Sequence, residues 1–279
     1  MTADATGKRF PPAARADLRK AFEILEGDTF AARLSRLTFG ATDRGMRVLP
    51  RAVVKLVEKA VGPALDAALA LAVRTLGKKE NKEEGTIARH IHKAAVAVSG
   101  AAGGVAGLPG LVAELPLTTV IMLRRIAAIA RRNGEDLSDP ATRIACLEVF
   151  ALTGLGAAPA AIGSTYYTAR IALHGAFRRA ADELGKGGGR LAGAAFRGVL
   201  AKISAKVGKD LARVAATRVI PAAGAASGAA LNALFMDHYQ ELAEAHFAMR
   251  RLERQYGAVT VQKAYERLRK RKVQVTRRV

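Results

Sequence analysis

The chain has 279 residues, half of them hydrophobic, and 45 Lys and Arg against 24 Asp and Glu give it a formal net charge of +21. That length supports one large or two small domains with a sizeable core; with no Trp and only 5% aromatic residues, the core is expected to be helical and packed through small side chains. The single cysteine, Cys146, excludes an intramolecular disulfide and fits a reducing compartment.

The N-terminal sequence MTADATGKRFPPAARADLRK lacks the basic-then-apolar order of a secretory signal, so residence on the cytosolic side is expected. From Arg15 onward apolar residues recur at three- and four-residue spacing, and strand-like alternation is scarce. Ala13 to Leu25 reads as a short amphipathic helix with Leu18, Phe22 and Leu25 on one face, and Val48 to Leu76 as a second helical stretch. The polar run Gly77 to Gly85 is the best internal boundary. Further on, Asp139 can cap a helix whose first residue is Pro140. Gly185 to Arg190 reads as a flexible connection, and Lys263 to Arg278 is densely basic with only Glu266 opposing it. The chain thus divides into an N-terminal helical region (1–76), a charged linker (77–86), a helical domain (87–262) and a basic tail (263–279).

Three stretches of about twenty residues carry no charge: they lie between Lys93 and Glu114, between Glu148 and Arg170, and between Arg218 and Asp237. Twenty uncharged residues is about the length that crosses a bilayer. However, Pro109 and Pro116 interrupt the first, Pro159 the second and Pro221 the third, and Ala and Gly contribute little hydrophobicity. A soluble or peripheral protein is therefore favoured over a spanning one. An internal repeat also suggests itself: sliding the segment ending at Gly134 onto the one ending at Gly257 pairs Arg131 with Arg254 and Glu114 with Asp237.

Three segments resemble the EcsC protein family of bacteria: SGAAGGVAGLPGLVAELPLTTVIMLRRIAAIA, EDLSDPATRIACLEVFALTG and NALFMDHYQELAEAHFAMRRLERQYG. The resemblance covers about Ile87 to Tyr265. It implies an association with transport, because the family is named after a protein encoded beside an ABC transporter. Some members carry a peptidase label, and no catalytic residues transfer.

Read from the residues themselves, Phe235 to His246 is the one concentration of potential metal ligands. On a helix Asp237, Glu241 and Glu244 share a face, and His238 lies three residues from Glu241. Glu114 would add a carboxylate if its helix packs alongside, giving a candidate divalent metal site of Glu114, Asp237, His238 and Glu241 that could activate water. The bland alternatives are acids paired with Arg124, Arg125, Arg250 or Arg251, or Glu114 and Asp237 as buried acids that bridge helices. His90 and His92 point to different sides of a helix, Cys146 reads as a buried thiol, and there is no Gly-x-Ser-x-Gly elbow. No zinc-finger spacing or aromatic interleaving accompanies the basic runs, so specific nucleic-acid binding is not expected.

The reading is an all-α protein with closely packed small-residue helices. Its expected role is noncatalytic, on the cytosolic face of the bacterial inner membrane, accompanying or modulating a transport or envelope system. An anionic membrane surface is the expected partner, with an ABC transporter or envelope protein as a possible second one. Arg267, Arg269, Lys270, Arg271, Lys272, Arg277 and Arg278 would hold it there, helped by insertion of the Leu18/Phe22 face. A metal-dependent hydrolase is the alternative; otherwise no cofactor is expected.

Overall fold

A computed structural model describes residues 10–37, 107–152, 165–186, 193–218 and 224–276. Among these are eight helices and no strand: α1 (Pro12–Leu25), α2 (Phe30–Leu37), α3 (Gly107–Arg132), α4 (Pro140–Ala151), α5 (Thr165–Gly185), α6 (Ala194–Arg218), α7 (Gly224–Tyr256) and α8 (Ala258–Thr276). The protein is all-α, as its periodicity predicts. The stretch Val48 to Leu76, the linker at 77–86 and the pair His90 and His92 lie outside the described residues.

Helix α7 is the axis of the fold. Its 33 residues span about 50 Å, and α1, α2, α3, α4, α6 and α8 all pack against it. Its buried residues include Phe235, Met236, Tyr239, Leu242, Ala243, Phe247, Met249 and Leu252. They fall on more than one face, as a helix enclosed by others requires. One hydrophobic cluster runs from Phe10 through α3, α4, α5 and α6 to Tyr265. The N-terminal helices therefore share a core with the body.

Local sequence explains most helix ends. Pro12 opens α1, and Ala14, Leu18, Ala21, Phe22 and Leu25 form its buried stripe. The Thr29 hydroxyl accepts from the Ala32 amide (3.2 Å) and caps α2. Asp139 caps α4 by accepting from the Ala141 amide (2.9 Å), with Pro140 in the first turn, as expected. Helix α6 borrows its cap from another element: the Glu183 carboxylate at the end of α5 accepts from the Ala195 and Phe196 amides.

The proline expectation needs correction for the first uncharged stretch. Helix α3 runs through both Pro109 and Pro116. Pro109 stands in the first turn, where its missing donor costs nothing, and Pro116 forgoes a single backbone hydrogen bond. No helix among the described residues is long and apolar enough to cross a membrane. Parts of the three uncharged stretches lie outside those residues.

Gly134 and Gly257 both have positive φ, +78° and +84°. Each ends a long helix in the left-handed conformation that glycine adopts without a Cβ penalty. After α3 the Gly134 amide donates to Arg131 and the Glu135 amide reaches back to Ala130 (3.1 Å), a Schellman closure. After α7, Gly257 alone separates the two helices, and α8 folds back. It lies parallel to α1: Phe10 meets Tyr256 (4.9 Å between ring centroids), Phe22 meets Tyr265 (5.0 Å), and Lys272 donates to the Glu26 carbonyl (2.8 Å). Shared helix-ending chemistry accounts for the Gly134/Gly257 correspondence without a duplication.

Candidate functional site: a basic groove above a buried polar network

The basic C-terminal segment is helix α8 itself, which begins at Ala258, before the expected tail boundary at 263. Val261, Tyr265 and Leu268 face the core, while Lys263, Arg267, Lys270 and Arg271 are exposed. Positions 263, 267 and 270 recur at four- and three-residue spacing, so they form one outward row. Exposed Arg15 and Arg19, a turn apart on neighbouring α1, extend it, and Lys20 lies beside them. Arg269 pairs with Glu266 (3.7 Å), and the Lys272 ammonium sits 5.8 Å from the Phe22 ring centre. Arg277 and Arg278 lie outside the described residues.

A groove of about 240 Å³ runs between α1 and α8. Arg15, Arg19, Arg267 and Arg271 line it, and no acid among the described residues does. The apolar side comes from Phe10, Leu18, Ala264 and Leu268. The expected insertion of Leu18 and Phe22 into lipid is corrected here: both are already buried in the protein, at 4% and 5% exposure.

Beneath this surface lies a polar network along α7. The His246 ring is fully buried; its Nδ1 lies 3.1 Å from the Tyr166 hydroxyl of α5, and its Nε2 lies 3.5 Å from Oε2 of Glu148 on α4. Donor and acceptor roles depend on the ring tautomer. The second separation is a close approach rather than a well-formed hydrogen bond. Burial, aided by the charges of Arg170 and Arg250, pushes the imidazole well below its ordinary range. Burial pushes the Glu148 carboxyl up against the pull of the same two arginines. Neutral His246 is the consequence.

Two turns further along α7, Glu253 accepts from Arg170 (2.7 Å) and from the Tyr167 hydroxyl (3.0 Å). The Arg170 guanidinium lies 5.3 Å from the Tyr166 ring centre and 5.8 Å from that of Tyr167. Tyr265 packs edge-on against Tyr167 and donates to Glu26 (3.0 Å), which ties α8 to α5 and α1. At the end of α7, Arg250 forms a fork on Glu135 (2.8 and 3.0 Å), and Arg254 binds the same carboxylate and the Asn133 carbonyl.

A carboxylate, an imidazole and a phenol in sequence can pass a proton. None of Glu148, His246 and Tyr166 lines the described grooves. The nearby Cys146 thiol is fully buried, and burial pushes it far from thiolate formation. The network's evident work is to tie four helices together.

The expected metal ligands are dispersed. Asp237 is exposed, so it is not a buried bridging acid. His238 faces inward at 3% exposure, with its ring 5.5 Å from Phe30. Burial, with the Arg33 charge adding to it, lowers the His238 ring to about 4. Glu241 is bound to Arg33 (2.5 Å), and Glu244 lies 3.9 Å from Arg132. The Glu114 backbone belongs to α3, but its side chain is outside the described residues. Among the described residues no three His, Cys, Asp or Glu side chains gather as a metal would need. The acids do meet arginines, although Arg33 and Arg132 were not among the expected partners.

The sequence reading missed Glu148, Tyr166 and Glu135. One signal was available for Glu148, a lone acid inside the apolar run Ile144 to Ala151. No curated protein and no solved structure matches the chain significantly. The EcsC protein family model matches residues 25–252, beginning earlier and ending sooner than the resemblance at 87–265. Glu148, Tyr166, Tyr167, Arg170 and His246 fall inside that match and Glu253 stands one residue beyond it, whereas nearly all of α1 and the whole of α8 fall outside it. The match spans most of the sequence, and the chain belongs to the EcsC protein family.

Proposed function

We propose that this protein is a noncatalytic, peripheral membrane-associated helical protein. The α1/α8 face holds it on anionic lipid at the cytosolic side of the bacterial inner membrane. There it accompanies or modulates a transport or envelope system. The observation that carries the reading is the outward row of Arg15, Arg19, Lys20, Lys263, Arg267, Lys270 and Arg271 on two adjacent parallel helices.

Each basic residue near an anionic leaflet contributes about 1 kcal/mol, so these cations supply several kcal/mol of attraction while they are held side by side. They need no buried apolar anchor, which agrees with the enclosure of Leu18 and Phe22 in the core. A rigid helical face also concentrates its charge within a Debye length of the surface, about 10 Å at 0.1 M salt.

Fractionation of cells making the untagged protein tests the reading. Membranes are washed with 1 M salt, then alkaline carbonate, then detergent. Release into the salt wash is expected, because the Debye length there falls to about 3 Å. Retention until detergent, or recovery entirely in the initial supernatant, would overturn it.

A further inference from the structure

The α1/α8 groove combines two features that a simple charged surface lacks. Four guanidiniums converge on one concavity of about 240 Å³ with no acid lining it among the described residues. None of Arg15, Arg19, Arg267 and Arg271 makes an ion pair or a side-chain hydrogen bond among the described residues. Asp17 on the same helix is engaged elsewhere, by Arg251 on α7 (2.8 Å). The concavity also has an apolar wall of Phe10, Leu18 and Leu268.

These features select a chemistry. Guanidinium groups bind phosphate oxygens through paired donors, and their planar forks suit a phosphate better than a diffuse counterion cloud. Four of them around one cavity favour the most highly charged phosphate available. A phosphomonoester carries about −1.5 to −2 charges near neutral pH, whereas a phosphodiester carries one. The apolar wall favours a phosphate attached to hydrocarbon over a free ion, since a fully hydrated anion gains nothing from Phe10 or Leu268. The volume fits a headgroup and its glycerol, with the acyl chains left in the bilayer.

We infer that the groove is a binding site for a phosphomonoester headgroup of a membrane lipid, so that the protein recognises phosphatidate-type lipid beyond its general attraction to anionic surfaces. This rests on the membrane reading above and deepens it. Arg19 and Arg267 would grip the phosphate from opposite walls, one from each helix. Lys263 and Lys270 stand outside the lining and supply only general attraction.

Co-flotation of the full chain with phosphatidylcholine vesicles carrying phosphatidate or phosphatidylglycerol, matched for surface charge, tests it. Binding to phosphatidate is expected to be about tenfold tighter. The double variant Arg19→Gln/Arg267→Gln is expected to lose that preference, with its phosphatidylglycerol binding weakened only as much as that of the control Lys263→Gln/Lys270→Gln. Lys270→Gln should weaken both lipids alike. All substituted residues are exposed, and unchanged melting curves would confirm that the variants fold. Equal affinity for the two lipids, or a preference that survives the double variant, overturns the headgroup site and leaves peripheral binding intact. Failure to bind either vesicle overturns the membrane reading as well. Saturable binding of glycerol 3-phosphate without phosphatidate vesicles would assign the groove to a soluble phosphomonoester and refute the lipid source.

Discussion

Removing the Glu135 carboxylate is the sharpest test of what holds the fold together. The side chain is 5% exposed and accepts from both arms of Arg250, from Arg254 and from the Thr142 hydroxyl (3.2 Å). Breaking a buried pair from one side costs about 3–5 kcal/mol, because the remaining charge is stranded. Arg250 retains 24% exposure, so water relieves part of that; Glu135→Ala should cost about 3 kcal/mol. Arg254 is 43% exposed, so Arg254→Ala should cost under ~1 kcal/mol. Equilibrium urea unfolding of Glu135→Ala, Arg250→Ala and the double variant measures the coupling. The double should be less destabilised than the summed singles by about 1.5–2 kcal/mol. Burial by itself raises the Glu135 carboxyl, but Arg250 and Arg254 outweigh it and hold the group below its ordinary 4.5. Its contribution is therefore complete above pH 4.5 and lost as the pH falls through the lower folded value. Additivity within about 0.5 kcal/mol would refute the clamp.

Three further outcomes are expected. His238 is lowered from 6.5 to about 4 by burial and by Arg33, so stability present above pH 6.5 should fall by up to ~3 kcal/mol as the pH drops to about 4. Melting temperature against pH reads this, and His238→Phe should flatten that part of the profile. Leu18→Ala should cost about 2–4 kcal/mol in urea while the folded fraction keeps its binding to phosphatidylglycerol vesicles, which rests on the outward cations. Glu183→Ala should lower the urea midpoint through the lost α6 cap. Gly193→Ala should do the same, because its new methyl would collide with the Glu183 carboxylate.

The elements the sequence revealed best are those whose cause is local. Asp139 with Pro140 fixes a helix start within four residues, and the Leu18/Phe22/Leu25 stripe fixes which side of α1 is inside. Proline was over-read in α3, because a helix tolerates one in its first turn and survives the loss of one interior bond once neighbouring helices pack on it. On α7, spacing placed Asp237, Glu241 and Glu244 on one face, but spacing cannot say whether that face is buried. The packing of α2 and α3 decided it, supplying Arg33 and Arg132 as partners. Glu148, Tyr166 and His246 are far apart in the chain and meet only because α4, α5 and α7 share a core.

The basic run was legible, but the groove was not, since it needs α8 to lie parallel to α1, and that geometry follows from the single-glycine turn at Gly257. This turn also separates two kinds of charge. Inside the family match, arginines face carboxylates and are consumed in holding helices together, as Arg250 and Arg170 are. Beyond its ends, Arg15, Arg19, Arg267 and Arg271 gather on one outward groove that no acid lines among the described residues. Unpaired like charges contribute nothing to folding and repel one another, so their convergence is favourable only when an anion enters. Substitutions in the two sets should therefore act on different observables: unfolding for the inner arginines, lipid binding for the outer ones.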